Sequence, residues 1–367
     1  MSPSAERMEL TRRKGTNPGS RFAVAAAAIA IGCLFGIGFA EIAARVVAPH
    51  WREYASARFM RSEIAPGIGP VAVGRPGFDG YFAQNNGDFR VRVRLNDLGL
   101  RNEELAAAAA GRIWAVGDSF TFGWGVEANE MFSAVLGDAL REKVYNVATP
   151  GGDVVGYQWL VARMPKGVAP RLVVVGLTIE NDLLDYGAET ANAAKPERPP
   201  EPGPFSFKEW GTNNSAVYNL AAVAVKQSSF LRDFFAKAGI IEAAHGLRAA
   251  PDRPAARRVS QRTAEEIVRL RGMLPPGTPL VVLVIPSRFE ILNRNRAWIE
   301  LREAAVAALA ARGVPVVDPT AALVAAGFEA THFPHDGHWS ARGHQIAGRA
   351  LAAWIAAHDP AARSGVR

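Results

Sequence analysis

Ile113-Trp-Ala-Val-Gly-Asp-Ser-Phe-Thr-Phe-Gly123 is an apolar run that breaks abruptly into a small polar turn. Ile113–Val116 is apolar on both faces, the mark of a strand buried in a parallel sheet rather than one with a wet face. Gly117-Asp118-Ser119 then supplies turn residues. A serine on a tight strand-to-helix turn exposes its hydroxyl and turns its backbone N–H toward the cleft. That geometry suits a nucleophile with a built-in oxyanion donor. Taken alone, the same three residues are equally at home in an ordinary turn.

Outward from this stretch the pattern repeats. Further apolar runs occur at Val144–Val147, Leu172–Leu177, Leu280–Ile285 and Val314–Val317, with helical periodicity at Asn129–Arg141, Ala297–Arg312 and Ser340–Ala357. Strand alternating with helix implies an α/β doubly wound parallel sheet of five strands. Ligands of such sheets bind beyond the carboxyl ends of the strands, so the chemistry is expected just after each run. After the second lies Asn146-Val-Ala-Thr-Pro-Gly-Gly152, whose glycines let the backbone approach a ligand. After the third lies Gly176-Leu-Thr-Ile-Glu-Asn-Asp182, where the Asn181 amide is suited either to an oxyanion or to a helix cap. Past the fifth lies His335-Asp-Gly-His-Trp-Ser340. Residues i and i+2 of an extended segment share a side, so His338 could act as base with Asp336 orienting it.

These four blocks, in this order, resemble the SGNH (GDSL-like) hydrolase superfamily over about 112–185 and 279–357. The resemblance implies a flavodoxin-like three-layer sandwich and ester chemistry. It casts Ser119 as nucleophile, Asp336 and His338 as its acid and base, and the Ser119 N–H, Gly151 and Asn181 as the oxyanion hole. Two departures stand out: Glu180 directly precedes Asn181 where the family has Gly-x-Asn-Asp, and only Gly337 separates Asp336 from His338. Asp-x-His-Trp resembles the branch that includes alginate O-acetylation proteins, which implies acyl ester substrates such as acetylated exported polysaccharide. No cofactor is implied. His332, His335 and His338 recur at every third residue, a spacing some zinc sites use, but a role for His338 beside Ser119 makes no metal the expectation.

Phe22–Ala40 is nineteen residues without a charge, about 28 Å as a helix and so close to the ~30 Å hydrocarbon core. Five basic residues precede it, which places residues 1–21 in the cytoplasm and the catalytic domain outside. A cleaved signal peptide is the rival reading, with Phe39-Ala40-Glu41 loosely resembling a cleavage site; the length of the apolar run favours an uncleaved anchor. The net charge of +7 follows the same logic, because residues 1–61 hold nine basic against four acidic side chains. No basic, aromatic-interleaved stripe follows, so no nucleic-acid partner is expected. Cys33 is the one cysteine, and no intramolecular disulfide is possible.

Residues 41–111 read as a stem followed by a half-exposed strand at Phe89–Leu95, and 112–357 as the hydrolase domain. Within that domain, about 187–260, containing the Pro-rich Lys195–Pro204 stretch, is expected to be an inserted cap near the site, with a partly disordered surface excursion as the alternative. The reading as a whole is an SGNH-type serine esterase or O-acetyltransferase. A catalytically silent, membrane-tethered glycan-binding protein of the same fold is the alternative.

Overall fold

The computed structural model describes residues 18–184, 186, 206–237 and 250–359. The Pro-rich stretch and the flanks of the expected cap, 187–205 and 238–249, lie outside the described residues. In chain order, α1 (Pro18–Val47) is followed by β1 (Met60–Ala65), β2 (Gly69–Gly74), β3 (Asp79–Ala83) and β4 (Arg90–Arg94). The α/β unit begins with β5 (Ile113–Gly117), α2 (Ser119–Phe122), α3 (Phe132–Leu140), β6 (Val144–Ala148), α4 (Val154–Ala162) and β7 (Leu172–Thr178). Three helices come next: α5 (Phe207–Asn214), α6 (Ala216–Gln227) and α7 (Ser229–Lys237). The chain then completes α8 (Arg253–Met273), β8 (Leu280–Ile285), α9 (Arg288–Asn293), α10 (Arg296–Ala310), β9 (Val316–Val317), α11 (Thr320–Ala326), α12 (Phe328–Thr331) and α13 (Ala341–His358).

The five expected strands form one parallel sheet in the order β6-β5-β7-β8-β9. Every residue of β5, β7 and β8 is buried, which is why their sequences are apolar on both faces. Helices α4, α8 and α10 cover one face, through Tyr157, Leu160, Ile267, Leu270 and Leu309. The other face is covered by α3, α11 and α13, through Phe132, Leu136, Leu323, Leu351 and Ile355. The result is a three-layer sandwich. Helices α3 and α13 approach closely because Gly348 has no side chain: a Cβ there would lie 2.7 Å from that of Val135. The fifth strand is shorter than its apolar run. Pro315 has no N–H for a ladder, so only Val316 and Val317 pair with β8, while Val314 stays buried as core.

The N-terminal segment is more structured than a stem. Residues 60–74 form an antiparallel hairpin of β1 and β2, with Pro66 in its turn, because proline excludes helix but not a hairpin bend. The expected alternating strand is β4, paired with β3; Val91 and Val93 point inward, and the arginines point out to Asp79 and Glu53. Its inner face packs with Phe59, Phe82 and Trp124 against Phe122 of α2. Arg101 locks this layer to the α/β unit. Its buried guanidinium donates to the carbonyls of Arg92, Phe122, Gly123 and Val126. Among the described residues no carboxylate bonds to it, and burial lowers its pKa to about 10.

Helix α1 outlasts the charge-free run and continues to Val47; Phe22–Val47 is long and apolar enough to cross a membrane. Its last two turns grip α6. Glu41 accepts from Ala216 N (2.8 Å), Val217 N (3.1 Å) and Ser215 Oγ (2.8 Å), satisfying amides at the α6 N-terminus that have no intrahelical partner. Arg45 binds Glu41 at 2.7 Å and the Asn214 carbonyl at 3.0 Å.

Arg101→Met fills similar space but leaves four carbonyls without their shared donor. It is expected to lower stability by about 2–4 kcal/mol, read as a reduced midpoint in urea denaturation of the detergent-solubilised protein. An unchanged midpoint would show that the guanidinium is not what joins the two layers.

Candidate active site

Five loops meet at the carboxyl edge of the sheet. The turn after β5 places Ser119 at the first position of α2, where Asp118 caps the helix by accepting from Phe120 N at 3.0 Å. The segment His332–Trp339 folds back on itself, with Phe333 N on the His338 carbonyl (2.8 Å) and Gly337 N on that of Phe333 (3.0 Å). Gly337 makes the single-residue spacing workable. Its φ is +84°, and a Cβ would lie 2.6 Å from Arg288 Nη1.

These two turns bring Ser119 and His338 together. Ser119 Oγ lies 2.8 Å from His338 Nε2, and Asp336 Oδ1 bonds to His338 Nδ1. Burial raises the Asp336 pKa, but the His338 charge and hydrogen bond, with help from Gln84, bring it down to about 2. Asp336 is therefore an acceptor at neutral pH, Nδ1 carries the ring proton, and Nε2 is left to accept from the serine. Burial works against the imidazolium, yet Asp336 outweighs it and lifts the His338 pKa above 6.5. Phe120 and Trp124 flank the ring at 4.8 and 6.0 Å between centroids.

The remaining expected residues stand close by. Gly151 is exposed, with a φ of +79°. Among the described residues, the N–H groups of Ser119 and Gly151 donate to no carbonyl or side chain. The Asn181 amide is engaged: Nδ2 lies 3.1 Å from Asp118 Oδ2, 3.2 Å from Asp182 Oδ1 and 3.4 Å from the Gly152 carbonyl. Asp182 also accepts from Tyr157 Oη and from Thr178 N at 2.7 Å. Asp118 and Asp182 are both buried, and burial pushes both pKa values up; the Asp118 charge pushes that of Asp182 further. Glu180, directly before Asn181, accepts from Ser287 Oγ (3.0 Å) and Arg288 N (2.7 Å). Asp318 is turned away and binds Arg302 at 2.6 Å, a packing role.

The spaced histidines diverge. His332 stacks on Phe328, His335 binds Asp88 and His338 faces Ser119. Among the described residues no three His, Cys, Asp or Glu side chains form a metal-sized cluster. Two residues at the site were not singled out from the sequence. Gln84 Nε2 donates to Asp336 Oδ2 at 2.6 Å, and the Asp88 carboxylate accepts from His335 N and Asp336 N. Both lie in the β3–β4 turn. The polar cluster Gln84–Asp88 was the only signal, and any surface turn looks the same.

The sequence pattern of the GDSL-like lipase/acylhydrolase family matches residues 115–346, more than half of the chain. Solved structures with similarity include a lipase/acylhydrolase from Enterococcus faecalis, at 15% identity and a TM-score of 0.37, covering 67% of this chain and 95% of that one. A lipolytic protein of the G-D-S-L family from Veillonella parvula aligns at 13% identity and a TM-score of 0.36, covering 66% and 96%. A carbohydrate esterase family 2 enzyme with a carbohydrate binding domain, from Corynascus thermopiles (Myceliophthora fergusii), aligns at 14% and 0.38, covering 67% and 66%. No curated protein matches the sequence significantly.

The raised carboxyls have a consequence for stability. A group whose folded pKa exceeds its unfolded value stabilises fully below the unfolded pKa and loses that contribution as pH rises through the folded pKa. The Asp118–Asp182 pair is thus expected to weaken the fold as pH climbs above the ordinary carboxylate range. Asp182→Asn removes one of the two charges and should flatten that decline in urea midpoints measured from pH 4 upward; a slope equal to wild type counts against a raised Asp182 pKa as its source.

Proposed function

The chain belongs to the GDSL-like lipase/acylhydrolase family, and from that membership we propose that it is a membrane-anchored serine esterase or O-acyl transferase working through an acyl-enzyme on Ser119. The observation that carries this is the relay from Ser119 Oγ through His338 to Asp336, with 2.8 Å between hydroxyl and imidazole. As Ser119 attacks the ester carbonyl, its proton passes to His338 Nε2, and Asp336 stabilises the imidazolium that forms. The carbonyl electrons move onto oxygen. In this reading the N–H groups of Ser119 and Gly151 receive that charge, supported by their donating to no carbonyl or side chain among the described residues, and Asn181 is the third donor once its amide leaves Asp118. Collapse expels the alcohol, which takes the proton from His338. Water or a sugar hydroxyl then attacks the acyl-serine, again with His338 as base, and regenerates the enzyme.

For substrate, the Asp336-Gly-His338-Trp339 block supports O-acetyl groups on exported glycans, in keeping with its likeness to alginate O-acetylation proteins. Helices α5–α7 support the cap reading, because Lys226 and Gln227 of α6 reach the turn that holds Asp336, with Lys226 Nζ 2.6 Å from Asn85 Oδ1. The apolar Phe22–Val47 helix and the five basic residues before it support a cytoplasmic N-terminus with the hydrolase domain on the outer side.

Ser119→Ala is expected to cut kcat on short-chain acyl esters by on the order of 10⁴- to 10⁶-fold and to abolish labelling by an organophosphonate; retention of either rejects the assignment. Only neutral His338 can accept the serine proton. Activity should therefore fall as pH drops through its raised pKa, giving an acid limb in kcat/KM above 6.5. A limb below that value would mean Asp336 does not govern the base.

A further inference from the structure

The triad does not hold itself. Asp336 sits in a loop beyond the last strand, and its two carboxylate oxygens have different keepers. Oδ1 faces His338, whereas Oδ2 accepts from Gln84 Nε2 at 2.6 Å. The backbone just before the triad is pinned from the same side. Asp88 Oδ2 accepts from His335 N at 2.9 Å and Asp336 N at 2.8 Å, and Asp88 Oδ1 bonds to His335 Nδ1 at 2.6 Å. The Asp88 side chain is only 2% exposed, so these bonds face little competition from water. Gln84 and Asp88 flank a single turn, itself closed by Gly87 N on the Gln84 carbonyl (2.9 Å) and Asp88 N on Asn86 Oδ1 (3.0 Å). Helix α6 backs the turn, through Lys226 on Asn85 and Gln227 Nε2 on the Asn86 carbonyl at 3.2 Å.

We infer that the β3–β4 turn is the positioning element of the acid–base pair: Asp88 fixes the path of the loop at His335–Asp336, and Gln84 orients the Asp336 carboxylate so that Oδ1 meets His338. The inference deepens the acyl-enzyme reading and rests on it. Three acceptor contacts from one buried carboxylate leave the loop little freedom. A displaced Asp336 would release His338 to turn about χ1 or to adopt the other tautomer, and either takes Nε2 away from Ser119. Gln84 also acts on charge. Its N–H favours ionised Asp336, and ionised Asp336 is what raises the imidazolium of His338. The other charged or titratable groups facing this pair are Asp118 after β5, Arg288 of α9, Lys226 of α6 and, more distantly, His344 of α13. None of them replaces the Gln84 donor at Oδ2.

The test uses the full chain in detergent with 4-nitrophenyl acetate, comparing wild type, Asp88→Asn, Gln84→Leu and Ser119→Ala. Asparagine keeps the shape of Asp88 but sets an NH2 against the donors of the loop. Asp88→Asn is expected to lower kcat by about 10- to 100-fold with KM within about twofold, and Gln84→Leu by roughly 3- to 10-fold. With its donor gone, Gln84→Leu should also shift the acid limb of kcat/KM to lower pH by roughly half a unit, because a weaker Asp336 charge supports the imidazolium less. A merely structural residue would not move that limb. Wild-type kcat in both folded variants, or a loss that tracks the folded fraction while the limb stays in place, overturns the inference. Should Asp88→Asn fail to fold, Gln84→Leu decides alone on the same two readings. An active Ser119→Ala removes the acyl-enzyme reading and this inference with it; an inactive Ser119→Ala beside wild-type-like Asp88→Asn and Gln84→Leu removes only the inference.

Discussion

Strand β5 has to satisfy its backbone on both edges at once, pairing with β6 from Ile113 to Gly117 and with β7 from Ile113 to Val116. A strand so placed has no face or edge for water, so it must be apolar throughout and must end where the sheet ends. It is also where the strand order reverses: the chain leaves β5 for one side and later returns to the other. Crossovers on either side diverge there and open a crevice at the carboxyl ends. Ser119 is two residues past that edge, so its position follows from the hydrogen bonding of the strand beneath it.

Much of this was legible in the residues because burial on both faces leaves a strong trace. Ile113–Val116, Leu172–Leu177 and Leu280–Ile285 are strands within a residue of their apolar runs. Val314–Val317 overran, since apolarity records burial while pairing needs an N–H that Pro315 lacks. The N-terminal part was harder. It read as a stem, because Pro66 and its neighbours exclude a long helix without specifying the hairpin bend formed there. Gln84 and Asp88 were beyond reach for another reason. Their partners lie about 250 positions away, and a polar side chain in a turn has the same composition whether it faces solvent or another loop. Asn181 stands between these cases: its place beside the Ser119 turn was readable, its engagement with Asp118 was not.

Polar groups are buried around the site in two ways. Arg101 is a cation met by carbonyls rather than by a carboxylate, and Asp118 and Asp182 are acids that share an amide. Both arrangements oppose the ordinary preference for paired charges. Arg101 lies where the layer of hairpins meets the α/β sheet, beside the buried aromatics Phe59, Phe82 and Phe122, whereas Asp182 is bonded within the α/β unit, to Tyr157 and Thr178.

Helix α6 touches α1 through Glu41 at one end and the β3–β4 turn through Lys226 at the other. Twelve residues of helix are about 18 Å long, so the rod sets a standoff between the apolar helix and the mouth of the site. A body carried on a flexible tether would sample every heading. This one travels as a bracket of fixed reach. If α1 lies in a bilayer, the mouth of the site stands at one height above it rather than swinging through many.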